Sequence, residues 1–270
     1  MRVKSIRTGV VALPQLFVTL CAVVLGAGSF VYTGTPHGPA LPSLSQSAQQ
    51  THLQPLLGSP GVVAGAHTER TADCVQTPCL ALTFDDGPQP QVTPQVLDIL
   101  ARHHVHATFF LIGLHVPGNE ALVQRMYKEG HEIGNHSWSH VDFTALAPDE
   151  MEDQIARTQA AITAAGVPAP RLFRPPYGAI NPLVRSHVPL TIALWNADPE
   201  DWHKARAAQI VTSVEAAAGR GKVIDMHDIK QPTADALDQI LTDLQSQYQL
   251  VTISELFNLA PGQSGVFYGR

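Results

Sequence analysis

From Cys79 onward, short apolar runs alternate with longer amphipathic stretches, and no other feature of the chain restricts its fold so tightly. Residues 80–84, 107–112, 132–135, 190–195, 222–227 and 250–253, with a short run near Leu172, read as strands. Between them, residues 94–104, 120–129, 148–165, 205–218 and 233–247 carry helical periodicity. Strands that alternate with helices pair in parallel, so the expectation is an α/β sheet or barrel of about seven units. Barrels of this kind place their chemistry on the loops that follow the carboxyl ends of the strands. No internal repeat and no glycine-rich phosphate loop interrupts the pattern.

Residues 1–33 read as an export signal or a membrane anchor. Arg2, Lys4 and Arg7 precede a long apolar stretch that is broken by Pro14 and Gln15 and ends in small residues. Cleavage and retention stay open, and a lipid on Cys21 is disfavoured by Leu20 before it. Residues 34–72 have the Pro, Gly, Ser, Gln and Thr content of a flexible linker, residues 73–258 are expected to form one folded domain, and residues 259–270 are expected to be an irregular tail. Beyond the leader the chain has 14 basic against 23 acidic residues, a balance of −9 that repels nucleic acid. No protein partner is implied. For an exported chain, Cys74 and Cys79 around a turn-like Val-Gln-Thr-Pro segment are expected to pair as a disulfide, with a metal site or buried thiols as the alternatives.

Acidic and imidazole side chains gather where the strands end. Asp85 and Asp86 would point to opposite faces of a regular strand, but Gly87-Pro88 breaks the strand and lets both enter one site. His136 and His140 would share a face on a helical turn and could grip one metal ion. Arg174-Pro175-Pro176-Tyr177-Gly178 makes a stiff loop. Asp198 to Trp202 and Asp225-Met226-His227-Asp228 add further acids, a histidine and aromatics. Taken singly, each has an ordinary reading as a turn, an incidental histidine pair or loop polarity.

Taken in order, these five segments resemble the motifs of the polysaccharide deacetylase family, the NodB-homology or carbohydrate esterase family 4 domain, over about residues 80–255. The resemblance implies a distorted (β/α)7 barrel as a single catalytic domain. It implies one divalent metal held by Asp86, His136 and His140, a donor set that suits zinc, cobalt or another transition metal better than calcium. It gives Asp85 the role of general base and His227 that of general acid, with Arg174 orienting the base and Asp201 supporting the histidine. The N–H of Tyr177 would help hold the oxyanion, and Pro176, Tyr177 and Trp202 would contact substrate. Opposite charges should keep Asp85 anionic and His227 protonated.

Two departures from the family pattern stand out. Asp225 replaces the usual apolar residue two positions before the acid histidine, where it would make the acetyl pocket polar and raise the pKa of His227, or simply satisfy a neighbouring donor. The stretch between Gly178 and Leu190 is short and suggests a more open groove. The implied activity is N-deacetylation of an exported amino sugar polymer, peptidoglycan first. Chitin oligomers or O-acetyl xylan are alternatives, as is a non-catalytic glycan-binding domain. No Glu follows His136 as a helix-borne metallopeptidase motif requires.

Overall fold

The computed structural model describes residues 72–260 and 262–269. The leader expected over residues 1–33 lies outside the described residues, as does the expected linker apart from Ala72. Among the described residues no helix is long and apolar enough to cross a membrane.

A curled, wholly parallel sheet forms the centre. Its strands are β1 (Cys79–Asp85), β2 (Thr108–Leu111), β3 (Glu132–Asn135), β4 (Leu172–Phe173), β5 (Thr191–Ala193), β6 (Val223–His227), β7 (Gln249–Val251) and β8 (Val266–Phe267). The order is β6-β1-β2-β3-β4-β5-β8, and β7 also pairs with β1. Between β5 and β6 a single bridge, Ala197 to Ile224, stands where a full ladder would close a regular barrel.

Among the described residues seven α-helices complete the fold: α1 (Thr93–His103), α2 (Glu120–Lys128), α3 (Pro148–Ala164), α4 (Pro182–His187), α5 (Ala207–Ala217), α6 (Gln231–Gln245) and α7 (Ile253–Phe257). Four of them, α1, α3, α4 and α6, carry proline in the first turn, where its missing N–H costs no helical bond. Helix α1 stops at His104, whose left-handed backbone folds its N–H back onto Leu100 and Ala101.

Strand β1 is buried along its whole length and sorts the core into two layers. Leu80, Leu82 and Phe84 point outward and pack with Leu97, Leu100, Met126, Leu237 and Leu241 of the helices. Cys79 and Ala81 point into the barrel, where Phe110, Leu172, Val223 and Val251 fill the lower interior and Ile253 and Leu256 of α7 plug it. The remaining inward positions of β1 are Thr83 and Asp85, so the interior turns polar toward the carboxyl ends of the strands.

Several expectations are corrected. Residues 259–270 are not wholly irregular, because β8 runs parallel to β5 with Ile192 opposite Val266 and Ala193 opposite Phe267, covering an otherwise unpaired edge. The strand expected to reach Ile253 ends at Val251, because Thr252 accepts from the Glu255 N–H while Glu255 reaches back to the Thr252 N–H, a capping box that starts α7. Helix α6 begins at Gln231, two residues early. Cys74 and Cys79 form the expected disulfide at the entry to β1.

Candidate active site

The first acidic pair sits at the end of β1. Asp85 follows the inward alternation, whereas Asp86 adopts φ 75°, a left-handed conformation that turns its carboxylate toward the same side. Gly87 then passes so close to Asp228 that a Cβ there would lie 2.4 Å from a carboxylate oxygen, which no residue but glycine can accommodate. Asp228, fully buried, accepts from Thr93 through that same oxygen and so joins the end of β6 to the start of α1.

His136 and His140 do not lie on a helical turn. They occupy an irregular loop in which Ser137 and His140 both have positive φ. The loop is held by side chains: Asn135 Oδ1 accepts from the Ser137 N–H, Ser137 Oγ from the His140 N–H, and Gln154 Oε1 from the N–H groups of Trp138 and Ser139. These contacts replace the helical bonds and still aim both imidazoles one way.

The ligating atoms of Asp86, His136 and His140 lie within 4.8 Å of one another. Asp86 Oδ1 is buried without a hydrogen-bond partner and faces His140 Nε2 at 3.3 Å and His136 Nε2 at 3.6 Å. His136 Nδ1 donates to the Arg174 carbonyl at 2.7 Å, which leaves Nε2 as a lone pair aimed at the cluster. An orphaned carboxylate oxygen beside two oriented imidazoles fits a divalent transition metal.

Across the site, His227 Nε2 lies 4.0 Å from Asp86 Oδ2. Its Nδ1 bonds Asp201 Oδ1 at 2.8 Å, and Asp201 Oδ2 accepts from the His227 N–H and from Thr233 Oγ1. Burial opposes the charge of His227, but Asp201, Asp225 and Asp85 outweigh it and push the imidazole up to about 10.

Beneath both halves lies Arg174, fully buried. Its Nε donates to Ala193 O, and its Nη1 serves Asp225 Oδ1 at 2.6 Å and both Asp85 Oδ1 and Thr83 Oγ1 at 2.8 Å. Phe110 lies against the guanidinium face. Asp225 therefore does have a neighbouring donor. Burial raises Asp85 above the ordinary carboxylate range, while Arg174 and His227 act in the expected direction and oppose that rise. Asp225 is raised well above that range, first by burial and then by Asp85, so the two carboxyls beside Arg174 titrate as a pair.

Tyr177 and Trp202 stand at the rim with 68% and 55% exposure, and Tyr177 packs edge-on against His140. Pro176 is buried beneath them. The connection between β4 and β5 carries a 3-10 turn over Pro176–Gly178 and the six-residue α4. Thr83, Gln154, Thr233 and His115, whose Nδ1 bonds the Asp86 carbonyl at 2.7 Å, were not legible as site residues. Each acts on a group distant in sequence, and no local pattern marks it.

Comparison with known proteins places this geometry. Residues 72–189 match the polysaccharide deacetylase family. The peptidoglycan-N-acetylglucosamine deacetylase PgdA of Listeria monocytogenes is 46% identical over 179 residues, which cover 66% of this chain and 38% of that protein. A peptidoglycan-N-acetylglucosamine deacetylase of Bacillus cereus is 39% identical over 66% of this chain and 87% of its own length. The solved structure of the peptidoglycan deacetylase PdaC from Bacillus subtilis superposes with a TM-score of 0.67 at 45% identity, covering 69% of this chain and 93% of that one. The chain thus spans about two fifths of the Listeria relative, and its relation to the shorter Bacillus cereus protein extends over most of that protein's length.

Proposed function

The chain belongs to the polysaccharide deacetylase family, and on that premise we propose that it hydrolyses the N-acetyl groups of an extracellular N-acetylglucosamine polymer, peptidoglycan in particular. The observation that carries this reading is the opposition of two proton-handling groups. Asp85, backed by Arg174, and His227, backed by Asp201, face each other across the Asp86, His136 and His140 cluster. Zinc, or cobalt or another transition metal, held by those three residues would supply Lewis-acid polarisation of the amide carbonyl and of the attacking water.

The remaining steps fall to the chain's own groups. Asp85 takes a proton from the water through the carboxyl whose other oxygen Arg174 holds in place. His227 has its Nδ1 bonded to Asp201, so its second ring N–H faces the site and can protonate the departing amine. The Tyr177 N–H contributes to holding the oxyanion, while Pro176, Tyr177 and Trp202 line the approach for a sugar ring. The basic and apolar amino terminus supports export by a cleaved signal or a retained anchor, with residues 34–72 spacing the 73–258 domain from it. The names of the Listeria and Bacillus relatives support a cell-wall substrate.

The test is acetate release by the purified metal-free protein, before and after zinc, from peptidoglycan, chitin oligomers and acetylated xylan in parallel. Zinc-dependent release from peptidoglycan, lost in Asp85→Asn, is expected. Release from xylan alone would make the protein an esterase, and zinc binding with no release would make it a glycan-binding domain.

A further inference from the structure

The pairing of β1 with β6 arranges the barrel interior in steps. Asp85 lies opposite His227, Thr83 opposite Asp225, and Ala81 opposite Val223 within the apolar lower core. Each step descends roughly 7 Å, the length of two residues of strand. A polymer lying across the rim cannot follow into that space. The part of it that reaches between Asp85 and His227 is the acyl group, and the carbon beyond the carbonyl is directed at the step that holds Asp225.

Asp225 lies one step deeper and is buried, but one of its oxygens is left for a ligand. It is 5% exposed, against 3% for Asp85 one step nearer the rim and 0% for the adjoining Arg174. Its Oδ1 is engaged by Arg174. Its Oδ2 has no protein partner among the described residues and is not sealed from solvent, unlike Arg174 Nη2, which is buried and unpartnered. A carboxyl oxygen at the tip of the acyl site is a poor neighbour for a methyl group, which would strip its water and return no hydrogen bond. A hydroxyl on the same carbon can donate to a carboxylate or accept from a carboxylic acid. The match therefore holds in either state of Asp225.

We propose that Asp225 selects the acyl group, and that the chain hydrolyses N-hydroxyacetyl amino sugars in preference to N-acetyl ones. The inference rests on the amide hydrolase reading above and specifies its substrate. Water adds its hydroxyl to the acyl carbon, the C–N bond breaks, and a proton goes to the nitrogen. The products are hydroxyacetate and the free amino sugar, and the hydroxyl on the acyl tip is unchanged.

The experiment offers length-matched chitooligosaccharides bearing either acyl group to the zinc-loaded full chain, to Asp225→Leu and to Asp225→Asn, with kcat/KM read from amine release. For the unmodified protein the ratio of hydroxyacetyl to acetyl cleavage is expected to be about ten- to a hundredfold, the range of one hydrogen bond to a charged group. Asp225→Leu should reduce that ratio by at least about tenfold, since an apolar pocket gains nothing from the hydroxyl. Asp225→Asn should fall between. If the leucine variant does not fold, the unmodified ratio and the asparagine variant decide the matter. A preference for acetyl, or one ratio common to all three proteins, would sink the acyl assignment and leave the deacetylase reading intact. No amine from either substrate would remove both.

Discussion

The two ends of the barrel solve opposite problems with the same strands. At the carboxyl end, five of the seven non-glycine residues with positive φ, namely Asp86, Ser137, His140, Tyr177 and Glu200, crowd into the site loops. Three orphaned buried polar atoms are there too, Asp86 Oδ1, Arg174 Nη2 and Asp228 Oδ1. At the amino end the buried carboxylate of Glu132 is bonded by Thr108 Oγ1 and by the N–H and Oγ of Ser254. Ile253 and Leu256 close the apolar floor. The contrast is one of degree, since Glu129 Oε2 and His131 Nε2, just before β3, are also buried without partners, but the strained backbone of the site loops gathers at the carboxyl end.

The largest separation of the two ends should come from Asp85→Asn. Acetate release is expected to fall by about 10²–10⁴-fold, the scale of a lost general base. The thermal midpoint should not drop, because the amide oxygen can still accept from Arg174 and one buried charge is gone. A large loss of stability in this variant would mean that the site also holds the barrel together.

The converse change is Ile253→Ala, at a fully buried position of the floor. Denaturant unfolding should show about 2–5 kcal/mol lost, with kcat per folded molecule unchanged. A fall in kcat would tie the two ends together.

A smaller effect, set by pH, belongs to His131, directly before β3. Burial, then the neighbouring charges of His106 and Arg125, lower its pKa from 6.5 to about 3, while its Nδ1 accepts from the Ala107 N–H. The folded protein holds this imidazole neutral and the unfolded chain protonates it below its ordinary pKa. Its contribution to stability is therefore complete above about pH 6.5 and is lost toward pH 3, at up to about 1.4 kcal/mol per unit. His131→Gln should flatten the acid limb of a plot of stability against pH, and an unchanged limb would assign acid lability to other groups.

The smallest expected change is Thr252→Ala, which removes the cap of α7. A loss of about 1 kcal/mol by denaturant titration is expected. A null result would show that packing of Ile253 and Leu256 suffices to form that helix.

Much of this was legible beforehand for a physical reason. Strand and helix positions follow from local apolar spacing, so the alternation from Cys79 gave the sheet, and the Thr252-to-Glu255 cap was there to be read although the strand was extended across it. The family resemblance named the candidate site residues by their order along the chain. What no local pattern contains is which distant groups share one partner. Arg174 serves Thr83, Asp85 and Asp225, which are 91, 89 and 51 residues away.

The sequence by itself determined the alternating elements and the carboxyl-end clustering of Asp and His, and it made the Cys74 to Cys79 pairing the expected one, because each depends on neighbours within a few residues. Only the tertiary structure decided that β8 covers β5, that a side-chain-bonded loop rather than a helical turn aims His136 and His140, and that burial rather than charge sets the direction for Asp85. Those outcomes depend on desolvation and on hydrogen bonds between strands, and both exist only once the barrel has brought distant residues together.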